Sequence, residues 1–393
     1  MTQPFEPDAL IAALRDRYPE AEDDRAAIRV IRSPGRVNLI GEHTDYNLGY
    51  VLPAAIDREI RIAAIATDDR LVDLTRLDAG ERRSFDLDTD RRPDGSWLDY
   101  VAGVAWALTA AGHSTSGMRG VIATTLPSGA GLSSSAALEL AAAWALLGDA
   151  TGELDRLELA RLCQRAENEY VGVQSGLMDQ FSAACGVRGS ALFLDCRSLD
   201  WRPVPLPDDV AVVVIDSGSR RRLGASAYNE RRAQCDAAVA ALRAVDTSIR
   251  SLRDVSPTFF DAHEDRLDPV VARRARHVVA ENQRVLDGVE AFDAQDLGTV
   301  GRLFAESHAS LRDLFEVSSP ELDGLVGIAT GVDGVIAARL TGAGFGGCTV
   351  NLVRPDAVER LRLAIERDYP ARSGRAATML AVTAATGAGL LER

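Results

Sequence analysis

Leu126-Pro127-Ser128-Gly129-Ala130-Gly131-Leu132-Ser133-Ser134-Ser135-Ala136-Ala137-Leu138 is the stretch whose reading decides both fold and chemistry. Apolar and β-branched residues predict a strand over 121–126, and glycines a turn over 127–132. The Ala- and Leu-rich run that follows predicts a helix over 133–147. Glycines allow close backbone approach to an anion, and the free amides and dipole at a helix N-terminus favour negative charge there. Serine hydroxyls add oxygen ligands that suit a hard cation such as Mg²⁺. Two other readings compete. One is a plain serine-capped helix. The other is the start of a dinucleotide fingerprint, but Ser134 stands at its third glycine and Asp149 follows a helix with no second strand to present it. The stretch reads best as an anion-binding turn, with Gly129, Ala130, Gly131, Leu132, Ser133, Ser134 and Ser135 as its candidate ligand residues.

The rest of the chain limits how such a site can work. Its 393 residues contain no lysine, so all 44 basic residues are arginine. A Walker-type loop, a protein-kinase site and Schiff-base chemistry each need a lysine, and all three are excluded. Phosphate here must be met by backbone amides, hydroxyls, arginine and a metal. A net charge of −14 argues against general nucleic-acid or anionic-membrane binding. The five cysteines form no C-x-x-C pair, which suits a reducing, cytoplasmic setting. The first residues lack the basic start and apolar core of a signal peptide, and no apolar run reaches the about 18–20 residues of a membrane span.

Working outward, helices are expected at 7–18, 97–111, 154–170, 225–245, 269–291, 296–314 and 356–368, and strands at 28–31, 60–67, 210–215, 349–353 and 378–382. Residues 70–87 read as strand–turn–strand. Three prolines between Asp200 and Asp209 mark a candidate boundary, dividing the chain into 1–204 and 205–393. Both parts mix helices and strands irregularly, so the fold class is α+β.

Three further segments carry candidate chemistry. Gly35-Arg36-Val37-Asn38-Leu39-Ile40-Gly41-Glu42-His43-Thr44-Asp45-Tyr46-Asn47 crowds charged and hydrogen-bonding groups into one loop, which suits a polyhydroxylated ligand better than a metal. Glu167 and Asp179 lie at adjoining ends of successive helices, where one carboxylate could hold a cation and the other orient or deprotonate a hydroxyl. Arg339-Leu340-Thr341-Gly342-Ala343-Gly344-Phe345-Gly346-Gly347-Cys348 is a glycine-rich turn leading into a strand. Arg220-Arg221-Arg222 reads as a solvated face.

These segments resemble the GHMP small-molecule kinases and, within them, the galactokinase family. Residues 36–47 look like the galactokinase signature, 127–137 the phosphate loop of the superfamily, and 341–347 its C-terminal glycine loop. Asp216-Ser217, Arg222-Leu223 and Tyr228-Asn229-Glu230-Arg231-Arg232 resemble a further family segment. The resemblance implies a two-domain GHMP kinase fold, a ribosomal-protein-like N-terminal domain on a ferredoxin-like C-terminal one, with the active site between them. It implies ATP and Mg²⁺, transfer to the anomeric hydroxyl of α-D-galactose, and no nucleic-acid or membrane partner, in a monomer or weak oligomer. Glu42, His43, Thr44, Asp45, Gly176 and Tyr228 would bind the sugar, and residues 129–135 the ATP phosphates. Ser135 and Glu167 would hold magnesium. Asp179 would be the base, with Arg36 stabilising developing charge. The chain departs from the family at Ser175-Gly176-Leu177, where Cys-Gly-Ile is common, and at Leu48 and Tyr50, where Phe is frequent at the latter. A kinase of N-acetylgalactosamine or L-arabinose, or a catalytically silent galactose sensor, are the alternative functions.

Overall fold

The computed structural model describes residues 5–22, 27–127, 129–148, 154–219 and 224–391. Ser128, Asp149, Arg220, Arg221, Arg222 and Leu223, all named above, lie outside the described residues. In chain order the strands are β1 (Arg29–Asn38), β2 (Tyr50–Val51), β3 (Pro53–Thr67), β4 (Leu71–Arg76), β5 (Glu81–Asp86), β6 (Gly117–Thr124) and β7 (Ser190–Asp195). Then come β8 (Trp201–Pro205), β9 (Ala211–Asp216), β10 (Val335–Thr341), β11 (Cys348–Val353), β12 (Thr378–Val382) and β13 (Gly389–Leu390). The α-helices begin with α1 (Pro7–Arg17), α2 (Leu98–Ala110), α3 (Ser134–Leu147), α4 (Arg156–Arg165) and α5 (Met178–Cys185). They continue with α6 (Gly224–Arg243), α7 (Pro257–His263), α8 (Pro269–Asp293), α9 (Leu297–Asp313), α10 (Pro320–Ala329) and α11 (Val358–Ser373).

A six-stranded sheet has the order β13-β1-β3-β6-β4-β5 and is antiparallel except for the β4–β6 pair. A three-stranded sheet, β2-β7-β8, lies beside it, and a four-stranded antiparallel sheet, β10-β11-β9-β12, forms the other half. The chain changes sheet between β8 and β9. Its end then returns, pairing β13 with β1 and Ala384 with Ile56.

The central helix, α3, packs on β1 and β3 and is flanked by α2, α4 and α5. Its Ala136, Ala137, Leu140, Ala141, Ala142 and Ala143 are all buried. A helix that is apolar nearly all round must be enclosed, and small side chains let its neighbours approach closely. The apolar cluster around α3 continues without a break to Val285 of α8, Phe304 of α9 and Val350 of β11. The two halves therefore share a core, which fixes the walls of the cleft between them.

Several elements differ from expectation. β1 does not stop at Ile31 but runs to Asn38, with a register shift between Pro34 and Arg36 that leaves Gly35 out of the pairing. The helix expected over 154–170 is α4 followed by a π-helical turn over Ala166–Val171. The proline-rich connection contains β8, which tolerates Pro203 and Pro205 because it is a sheet edge. Strands β7 and β10 and helix α7 were not expected at all.

Candidate active site

β1 brings Arg36 to the base of a cleft of about 470 Å³, and the loop after it brings Glu42, His43 and Asp45. Gly129, Gly131, Ser133, Ser134 and Ser135 form a second wall. Glu167, Gly176 and Asp179 come from the π turn and the start of α5, Tyr228 from α6, and Gly342 and Ala343 from the glycine loop. Segments hundreds of residues apart thus meet at one site.

The phosphate-loop region is shaped by close backbone contact. Arg36 N donates to Leu132 O at 3.1 Å, and a Cβ at Gly35 would stand 2.6 Å from that same oxygen. Only glycine lets β1 and the turn approach this closely. Ser133, which precedes α3, has φ 61° and makes no capping hydrogen bond, so the first amides of the helix are not covered by their own cap. Its buried Oγ has no hydrogen-bond partner. Ala130 and Leu132 instead turn their side chains into the core, so only their backbone can meet a ligand.

Arg36 and Asp179 form a fork-to-fork pair, with Nε to Oδ1 at 2.6 Å and Nη2 to Oδ2 at 2.7 Å. Arg36 Nη1 also donates to Gly131 O at 2.7 Å, tying the carboxylate to the glycine turn. Asp179 sits in the first turn of α5, where the helix dipole favours its charge. Its side chain is 25% exposed, leaving lone pairs open to the cleft. A Cβ at Gly176 would lie 2.1 Å from Asp45 Oδ2, so glycine there makes room for Asp45. Burial, with Asp179 close by, pushes the Asp45 carboxyl up to about 6.

The His43 ring packs on Phe315 at 4.5 Å and near Tyr228 at 5.6 Å, with Nδ1 and Tyr46 Oη 2.9 Å apart. Thr44 does not line the cleft. Its hydroxyl shares its single proton between Tyr50 O at 2.6 Å and Gly41 O at 2.8 Å, closing the loop. Arg232 reaches across from α6 to Gln174 O at 2.7 Å, and Arg231 to Phe315 O at 2.8 Å.

Glu167 is buried and accepts hydrogen bonds from Ser175, Ser135 and, at 2.9 Å, Gln180 Nε2. Gln180 also donates to buried Glu139 at 2.9 Å. Burial pushes both carboxyls above their ordinary range, with Glu167 adding to it at Glu139 and Asp179 adding to it at Glu167. A hydroxyl and a crowded carboxylate are an oxygen-only donor set, which fits Mg²⁺. Among the described residues no group of three or more His, Cys, Asp or Glu side chains could hold a metal. A Mg²⁺ held by Ser135 and Glu167 would therefore take its remaining oxygens from water and phosphate. Among the described residues, no helix is long and apolar enough to cross a membrane.

Sequence reasoning missed several residues here. A second cavity of about 180 Å³ adjoins the cleft, sharing Tyr100, Gly129, Ser134 and Ser135 with it. Ile60, Trp97, Ile122, Leu126 and Leu138 give it apolar walls. Trp97 and Tyr100 sit within an expected helix, where spacing alone gives an aromatic residue no cavity. Ser175 was visible only as a departure from a family pattern.

Three family models match the chain: a galactokinase galactose-binding signature over residues 16–65, a GHMP kinase N-terminal domain over 99–187 and a GHMP kinase C-terminal domain over 289–371. A galactokinase of Roseiflexus sp. (strain RS-1) is 50% identical over 362 residues, covering 92% of each chain. One of Chloroflexus aggregans is 45% identical over 368 residues, covering 91% of this chain and 92% of its own. The crystal structure of Lactococcus lactis galactokinase complexed with galactose matches with a TM-score of 0.92 at 38% identity, over 97% of this chain and 100% of its own. Methanococcus jannaschii mevalonate kinase matches at 0.65 with 19% identity over 92% of this chain, which extends the likeness to fold alone. Sequence, architecture and cleft agree: the chain belongs to the galactokinase family and has the two-domain GHMP kinase fold.

Proposed function

We propose that this protein transfers the γ-phosphoryl group of ATP to the anomeric hydroxyl of α-D-galactose, giving galactose 1-phosphate and ADP. The observation that carries the reading is the Arg36–Asp179 pair, bonded through Arg36 to the same glycine turn that opens α3. An acceptor for a sugar proton and a seat for a triphosphate thus lie side by side. Dividing the chain into 1–204 and 205–393 gives the two lobes that enclose them, except that the end of the second part returns to the first through Ala384 and β13.

Glu42, His43, Asp45, Gly176 and Tyr228 hold the sugar, while Thr44 shapes the loop rather than touching it. The amides of residues 129–135 receive the triphosphate, and the apolar cavity beside Trp97 and Tyr100 takes the nucleobase. Ser135 and Glu167 hold Mg²⁺, which supplies neutralisation of triphosphate charge when bound. Phosphoryl transfer has a loose transition state, so most of the rate comes from positioning and charge rather than from a strong nucleophile. Asp179, held in plane by Arg36, orients the anomeric hydroxyl and takes its proton as the new P–O bond forms. Arg36 stabilises the charge that develops between them.

The test is ADP release and phosphorus NMR of the product with galactose, N-acetylgalactosamine and L-arabinose, each with and without Mg²⁺. The expected result is Mg²⁺-dependent turnover fastest on galactose, with phosphate on C1. Faster turnover of another sugar would reassign the substrate, and binding without turnover would make the protein a sensor.

A further inference from the structure

The sugar loop belongs to the first half of the chain, but its central carboxylate is held from the second. Arg339, at 0% exposure the bulkiest fully buried side chain among the described residues, donates from Nη2 to Glu42 Oε2 and from Nη1 to Leu39 O at 2.7 Å. Two residues on, Thr341 Oγ1 accepts from Asn38 N at 2.9 Å, and Gly342 N donates to Glu42 Oε1 at 2.9 Å. Each Glu42 oxygen thus has one partner on β10 or the glycine loop, with a lone pair left over for a hydroxyl in the cleft.

We infer that Arg339 is a positioning residue for sugar binding, clamping Glu42 and holding it as a carboxylate able to accept a sugar hydroxyl. The inference rests on the sugar role proposed for Glu42. The groups around that carboxylate are Arg339, the Gly342 amide and Glu281 of α8, with His43 and Asp45 on the cleft side, while His277 of α8 lies 3.2 Å from the Glu42 backbone carbonyl. Glu281 has its own support: Arg284 at 2.7 Å, Ser307 at 2.6 Å and Gly41 N at 3.0 Å. Arg284 above all, then His277, Arg339 and Ser307, hold it down at about 2 despite burial. His277 is pushed down to about 4 by burial and is neutral at neutral pH. Glu42 lacks that surplus. Burial pushes it up to about 7, with Arg339 the largest opposing influence. Arg339 is the one guanidinium bonded to Glu42, whereas Glu281 has Arg284 at 2.7 Å as well as Arg339 at 3.9 Å.

The experiment compares Arg339→Gln, Arg339→Lys, Glu42→Gln and the Arg339→Gln/Glu42→Gln double variant, with thermal melts and ATP affinity as folding checks. Arg339→Gln is expected to raise the galactose KM about 10- to 100-fold, the loss of one charged hydrogen bond, with the ATP KM nearly unchanged. Galactose kcat/KM in the native enzyme should fall as pH drops through about 7. That limb should move to higher pH in Arg339→Gln, move back partway in Arg339→Lys, and in Glu42→Gln give way to a lower limb near 6 set by Asp45. Adding Arg339→Gln to Glu42→Gln should change little, because the two act as one unit. Equal rises in both KM values, additive effects in the double variant, or an unmoved limb would overturn the inference. A Glu42→Gln variant with unchanged galactose KM would instead remove the underlying sugar role. If Arg339→Gln fails to fold, Arg339→Lys decides, because one ammonium cannot hold Leu39 O and Glu42 together as the guanidinium does, and an unchanged galactose KM with an unmoved limb in that variant would overturn the clamp.

Discussion

Asp179→Asn is expected to lower kcat about 10²- to 10⁴-fold, the usual contribution of a positioned proton acceptor, while ATP affinity stays near its native value. The asparagine can keep one hydrogen bond to Arg36, which donates to Asp179 at 2.6 and 2.7 Å, but it cannot take a proton. The phosphate turn keeps its own tie to Arg36 through Gly131 O at 2.7 Å, so the nucleotide seat survives. Coupled ADP-release kinetics with calorimetric ATP titration checks this. A variant turning over at the native rate would remove Asp179 from the reaction.

Glu167→Gln is the second large effect. The buried carboxylate already takes hydrogen bonds from Ser175, Ser135 and Gln180, and it stands near a second buried acid, Glu139. Ionised side by side in a buried place, the two acids repel, and a bound cation would offset that repulsion. Replacing Glu167 removes the anionic member of the proposed Mg²⁺ pair, so kcat should fall about 10²- to 10³-fold. The Mg²⁺ concentration for half-maximal rate should rise, and Mg²⁺-dependent tightening of ADP binding should weaken. An unchanged Mg²⁺ dependence in both assays would assign the metal elsewhere.

The sequence was most legible where chemistry and local geometry coincide. The Gly129–Ser135 turn carries its own signal, since glycines and a helix start are local features, and α3 begins within a residue of its expected position. Arg36, Glu42, His43 and Asp45 were legible as a group because one short stretch of sequence carries them, and all four line the cleft, Arg36 from the end of β1 and the others from the loop after it. Thr44 was legible as a member of that loop but not as the residue that closes it, because only the folded chain shows where its hydroxyl goes. Tertiary pairing hid the rest. β8 reads as a linker because its prolines suit an edge strand, and a sequence does not mark edges. The π turn at Ala166–Val171 keeps a helical pattern yet lets Gly172 N reach Glu167 O, a change of hydrogen-bond register no periodicity reveals. Arg339 reads as the first residue of a glycine-rich turn, whereas its partner Glu42 lies 297 positions earlier in the chain.

The central claim is that one cleft seats the anomeric hydroxyl on Asp179 while α3 and the turn before it seat the triphosphate. A crystal structure with galactose, a non-hydrolysable ATP analogue and Mg²⁺ tests this most directly. The account predicts the C1 hydroxyl within hydrogen-bond reach of Asp179 and facing the γ-phosphate, with the phosphates on the amides of residues 129–135. A sugar bound with C1 turned away from Asp179, or a triphosphate seated off the N-terminus of α3, would contradict it.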